Sequence, residues 1–169
     1  TVTMEAGAAK FTETDAPPAA GLRPGMLPDG RGSKGNKNIR AAWLPDPTRR
    51  YRHGVIGDAI EAGGLAAETG TGVIQTLKLA KNSVFEDRLA RLVNMDGDCN
   101  HEILVIKSYL DKGAALALFE STGAGLERIA ESKPIGRANR WLNIVGAADF
   151  DGDGKIEIAA VITPHIGGT

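Results

Sequence analysis

Asp149-Phe150-Asp151-Gly152-Asp153-Gly154-Lys155-Ile156-Glu157 is the stretch on which the reading of this chain turns. Asp149, Asp151 and Asp153 stand at positions 1, 3 and 5, and Glu157 at position 9. Alternate spacing turns every second side chain to the same side, and Gly152 and Gly154 permit the tight, partly left-handed path that wraps such a loop. The carbonyl of Lys155, at position 7, is a further candidate ligand. A short loop offering only hard oxygens points to calcium, which takes six to eight of them in a forgiving geometry.

The layout occurs twice. Asn94-Met95-Asp96-Gly97-Asp98-Cys99-Asn100-His101-Glu102 has it 55 positions earlier, with Asn94, Asp96, Asp98 and Glu102 as side-chain ligands and the carbonyl of Asn100 at position 7. In this copy a neutral amide replaces the first carboxylate, and Cys99 stands where glycine would tolerate positive φ. The first site is therefore expected to be the weaker. Cys99 reads as a lone thiol, with only His101 nearby as a second soft ligand. A helix-flanked EF-hand requires a bidentate Glu at position 12, where Ala160 and Val105 stand.

Apolar, strand-like runs flank both loops. Val73–Leu79 alternates, Arg88–Val93 enters the first loop, and Ile103–Lys107 leaves it as a continuous apolar run suited to burial on both faces. Ala114–Glu120 and Leu126–Ala130 follow across turns, then a polar connection over 132–140. Leu142–Ala148 enters the second loop and Ile158–Thr163 leaves it. Strand, acidic loop, strand, turn, strand, turn, strand in roughly 55 residues describes one four-stranded antiparallel blade of a β-propeller. The expected fold is all-β: a partial propeller of about two blades over 51–169, behind an irregular Pro/Gly-rich arm over 1–50. Propellers close with about four to eight blades, so a piece of a longer protein, or completion by other chains, is expected.

These loops and the branched apolar residues after them resemble FG-GAP or VCBS-type repeats, the calcium-binding blades also found in integrin α-subunit propellers. The resemblance covers about residues 50–169. It implies a calcium loop between the first two strands of each blade, with the ligands named above, and an extracellular or periplasmic setting. It also implies a binding or structural role, with other protein chains or a glycan as partner; the alternatives are a lectin-like module and, after it, the propeller portion of a secreted enzyme.

Composition sets the remaining bounds. Apolar residues make up 42% and the net charge is −1, so the chain belongs to the globular class. No run approaches the roughly 18 apolar residues of a membrane span, and a single cysteine excludes an internal disulfide framework. The chain opens Thr-Val-Thr, which a removed signal peptide, a chosen boundary or proteolysis would each explain. Residues 1–52 hold nine Lys or Arg against five Asp or Glu. Arg31, Lys34, Lys37, Arg40, Arg49, Arg50 and Arg52 read as a solvated tail rather than a nucleic-acid arm. Gly30, Gly32 and Gly35 fit a dinucleotide fingerprint only in spacing, because no strand precedes them, and Asn36 after Gly35 breaks a phosphate-cradling loop.

Catalytic signatures are lacking: there is no His-Glu-x-x-His and no Gly-x-Ser-x-Gly, and an enzyme is not expected. His53 near Asp58 is a conceivable acid–base pair but reads better as a structural histidine. Tyr51–Glu68 reads as two short strands about a turn rather than a helix with Ile56 on its face, since its glycines disfavour a helix. Trp43, Tyr109 and Trp141 are expected to pack rather than to stack on sugar, and His165 to sit in a turn.

Overall fold

The structure is a computed structural model that describes residues 2–5, 8–11, 19–54 and 57–163, with side chains from 21 to 54 and from 57 to 162. The readings of Ile56 and His165 lie outside the described residues. All regular elements among the described residues are β-strands, as expected, and their sheets are antiparallel. Among the described residues no helix is long and apolar enough to cross a membrane.

The described residues form sixteen strands: β1 Val2–Glu5, β2 Ala8–Phe11, β3 Ala19–Ala20, β4 Gly32–Lys34, β5 Ile39–Trp43, β6 Pro47–Thr48, β7 Glu61–Ala62 and β8 Gly64–Thr69, then β9 Ile74–Lys78, β10 Ser83–Phe85, β11 Arg91–Val93, β12 Glu102–Tyr109, β13 Gly113–Thr122, β14 Gly125–Glu131, β15 Trp141–Ala148 and β16 Glu157–Thr163. One sheet runs β3-β4-β5-β8-β9. A second runs β14-β13-β12-β10-β7-β6, with β11 also on β12. β15 and β16 form a hairpin, as do β1 and β2.

The irregular arm expected over 1–50 is corrected here. β4 and β5 belong to the first sheet, and Ile39, Ala41, Ala42, Trp43 and Leu44 are buried in it. Short strands of small residues carry too little periodicity to announce themselves, and tertiary packing supplies what local propensity does not. The basic residues Lys34, Lys37 and Arg40 therefore stand on a sheet and its turn, not on a tail. Between Tyr51 and Glu68, the strands are β7 and β8, joined at Gly63, whose N–H donates to the Asp46 carbonyl at 2.8 Å.

β12 is the spine of the fold. Its residues from Glu102 to Ser108 are all buried. Ile103 and Val105 pack with Phe85, Ala117 and Phe119 against Ile39, Ala42, Leu65 and Ala67 of the first sheet. Leu104 and Ile106 face the other way, with Ala114 and Leu118, against Leu142 and Ile144 of β15. A continuous apolar run buried on both faces is what this stacking of three sheets requires.

β10 and β11 share one edge of β12, at Tyr109–Lys107 and Leu104–Glu102 respectively. The chain between them loops out, and the buried Asp87 closes the gap. Its Oδ2 accepts from the Ile106 N–H at 3.2 Å and from Arg91 at 2.6 Å, while Oδ1 accepts from the N–H groups of Arg88 and Leu89. Burial pushes the Asp87 carboxyl up, and the Arg91 charge opposes it. The strand before the first acidic loop is thus one strand in two pieces, and β10/β11-β12-β13-β14 is a four-stranded meander. β15, the second loop and β16 repeat its opening step.

Candidate metal centre

Each acidic loop hangs between paired strands, the first between β11 and β12 and the second between β15 and β16. The pairing holds the two ends of each loop side by side, and side-chain carboxylates satisfy backbone donors inside it. In the second loop Gly152 N–H donates to Asp149 Oδ1 at 2.6 Å, Asp153 N–H to Asp151 Oδ1 at 3.1 Å, Lys155 N–H to Asp153 Oδ1 at 2.9 Å and Phe150 N–H to Glu157 Oε2 at 2.8 Å. The first loop repeats these bonds one for one. Gly97 N–H donates to Asn94 Oδ1 at 2.8 Å, Asp98 N–H to Asp96 Oδ1 at 3.1 Å, Asn100 N–H to Asp98 Oδ1 at 2.7 Å and Met95 N–H to Glu102 Oε2 at 2.7 Å.

One bond separates the copies. Gly154 N–H donates to Asp149 Oδ2 at 2.9 Å. At the equivalent place Asn94 offers an NH2 group, which donates and does not accept. The left-handed positions correspond as well: Gly97 and Gly152 have φ of 78° and 83°, and Cys99 and Gly154 have 73° and 87°. Cys99 thus carries a side chain through a conformation that glycine holds freely; its thiol is exposed.

Asp149, Asp151, Asp153 and Glu157 each offer an oxygen, and these oxygens lie within 4.8 Å of one another. Asp96, Asp98 and Glu102 do the same. Two oxygens on opposite sides of one calcium ion, each at about 2.3–2.6 Å, stand roughly 5 Å apart. The carboxylates are therefore as close together as ligands of a single ion, and the set is all hard oxygen, so these residues fit the group. Burial pushes the Glu102 carboxyl up, and the Asp96 and Asp98 charges push it in the same direction. Lys155 bonds Asp153 Oδ2 through its ammonium at 2.8 Å, and this holds the Asp153 carboxyl below its usual range. The pair is exposed and contributes little to stability.

The first loop is tied to the first sheet. Asn38, in the β4–β5 turn, donates from Nδ2 to the His101 carbonyl at 3.0 Å, and its Oδ1 accepts the His101 N–H at 2.8 Å. Reading along the chain could not find this clamp, because the partners are 63 residues apart. His101 Nδ1 is buried and has no hydrogen-bond partner among the described residues. Burial first, then the Lys37 charge, holds its pKa down.

The remaining sequence candidates fall elsewhere. His53 is buried, with Nδ1 hydrogen-bonded to Glu86, which also accepts from Ser108. Trp43 is 1% exposed and its Nε1 donates to the Pro24 carbonyl, so it packs as expected. Tyr109 is part-buried and donates to Glu131.

The description "FG-GAP-like repeat" belongs to a family model that matches residues 94–160, from the first residue of the first acidic loop to just past the second. No curated protein and no solved structure matches the chain. Both loops and strands β12 to β15 between them lie inside the matched span, so residues 94–160 are similar to an FG-GAP-like repeat.

Proposed function

We propose that this chain is a calcium-stabilised, propeller-type interaction module rather than an enzyme. The carrying observation is the pair of loops whose carboxylate oxygens gather within 4.8 Å. Three or four carboxylates held that close repel one another, and a divalent cation converts the repulsion into attraction. Asp149, Asp151, Asp153 and Glu157 would hold one calcium ion, with the Lys155 carbonyl completing the set. Asn94, Asp96, Asp98 and Glu102 would hold a second, with the carbonyl of Asn100. Calcium when bound supplies a fixed positive centre that pins the start of β12 and of β16 to the strands before them. The ligands are all drawn from one loop that joins two paired strands, which supports a structural role for the ion.

The meander β10/β11-β12-β13-β14, followed by β15, loop and β16, supports reading the sheets as successive blades. Calcium-dependent stability suits a setting outside the cytoplasm, extracellular or periplasmic, and the proposed partners are protein chains. Titration calorimetry of the metal-free chain with calcium tests the reading. Two unequal sites are expected, with the tighter one absent in Asp151→Ala; a chain that takes up no calcium contradicts it.

A further inference from the structure

The basic residues of the first sheet enclose a cavity of about 630 Å3. Arg23, Lys34, Lys37 and Arg40 line it together with Glu68. Glu68 is paired with Arg23 at 2.6 Å, and the Arg23 guanidinium also lies 5.6 Å from the centre of the Trp43 ring. With that pair neutralised, Lys34, Lys37 and Arg40 remain as three cations outside any close ion pair among the described residues, with Asp98 near Lys37 at longer range. They stand together in a chain whose net charge is −1.

The wall that carries them is fixed. Gly35 N–H donates to the Arg40 carbonyl at 2.9 Å, closing the β4–β5 turn. A Cβ on Gly35 would stand 2.2 Å from the Ile39 carbonyl oxygen, so the turn closes this tightly only with glycine. Asn38 then clamps the turn to His101 through two hydrogen bonds. The cations project from a held turn, which lowers the entropy lost when a ligand arrives.

We propose that this cavity binds an acidic polysaccharide through its sulfate or carboxylate groups. A second cavity of about 420 Å3 adjoins it at Gly70, lined by Thr69, Thr71, Gln75, Ser121 and Thr122. Gln75 is held by Ser121 and the Thr122 carbonyl and Thr69 pairs with Thr71, so the groove offers a sugar chain the remaining capacity of fixed hydroxyls beside a basic wall. Single-stranded nucleic acid is the other polyanion to weigh, and it binds by stacking bases on exposed aromatic rings. Neither cavity is lined by an aromatic side chain, and Trp43 lies buried beneath Arg23. The site includes none of the calcium-loop carboxylates, but Lys37 lies within electrostatic reach of Asp98 and Asn38 holds His101, so calcium is kept constant when the site is tested.

The test is fluorescence anisotropy on the full chain at fixed calcium. The probes are a labelled sulfated glycosaminoglycan hexasaccharide, a galacturonate hexamer, a neutral glucan hexamer and a six-nucleotide single strand. One or both acidic sugars are expected to bind, with an affinity that falls as salt rises, while the neutral sugar does not bind. Which acidic sugar binds tells sulfate from carboxylate recognition. The triple variant K34Q/K37Q/R40Q is expected to lose at least about tenfold in affinity, and Lys37→Glu alone about fivefold, given that phosphate-type contacts with polyanions are largely charge-driven. A control with equal charge loss on exposed residues elsewhere, K81Q/K133Q/R137Q, is expected to stay within about twofold. No binding of either acidic sugar, equal loss in the control, or an oligonucleotide that binds as tightly as the sugars would overturn the proposal.

Discussion

Cys99 holds a left-handed backbone at φ 73°, where its counterpart in the second loop is Gly154. A side chain in that region costs about 1–2 kcal/mol. Cys99→Gly is therefore expected to stabilise the chain by roughly 1 kcal/mol in denaturant melts; a loss of stability would show that the thiol makes a contact worth more than the strain. Glu61 gives a second prediction at this scale. It is buried, and burial, reinforced by the charges of Glu86, Asp29, Asp58 and Asp87, pushes its pKa up to about 8. The folded chain keeps this proton to about pH 8, while an unfolded glutamic acid releases it near 4.5. Its contribution is complete below pH 4.5 and is lost as pH rises toward 8, at up to about 1.4 kcal/mol per pH unit. Glu61→Gln should flatten the fall in stability between pH 5 and pH 8, as read from urea melts at the two values. An unchanged slope would place the pH dependence elsewhere.

Among the elements, the acidic loops and the strands around them were the most legible. Carboxylates at every second position with glycines between them announce a loop, and Ile103–Lys107 announces a strand buried on both faces, because each rests on local spacing. β4 and β5 were not legible: Gly32–Lys34 and Ile39–Trp43 are short, interrupted by charge and rich in small residues, and their order comes from β8 and from the core beneath. The Asp87 closure of the β10–β11 gap and the Asn38 clamp were hidden for a different reason, since each joins backbone and side chain across sequence distance. Two substitutions probe this scale. Gly113, at the β12–β13 turn, has φ 77°, and a Cβ there would meet the Arg137 carbonyl oxygen at 2.2 Å. Gly113→Ala is expected to cost about 2 kcal/mol or more in chemical denaturation, and a cost under half that would mean the 132–140 connection gives way easily. Asn38→Ala removes both bonds to His101 and should cost about 1–3 kcal/mol, with faster amide exchange at His101. Unchanged exchange there would show that the loop holds itself.

At the scale of the molecule, three sheets are stacked around β12, and a potential cation site stands at the entrance to each of the last two. A large apolar core holds the first pair of sheets together, with the Asn38 clamp and the Gln75 bonds to Ser121 and Thr122 beside it. The β15–β16 hairpin shares a smaller one, and Val145, Val161 and Ile162 lie exposed on it. An ion bound at the second loop would therefore act where apolar burial contributes least, and the central claim is that calcium stabilises the fold. If calcium binds only the folded chain, a hundredfold excess over its dissociation constant adds about 2.7 kcal/mol. For a chain of this size that corresponds to a rise in Tm of roughly 5–10 °C. Thermal melting with calcium and with a chelator, on the wild-type chain and on Asp151→Ala, measures this directly. The account predicts a higher midpoint with calcium in the wild-type chain and a much smaller shift in the variant; a midpoint indifferent to calcium in both would contradict it.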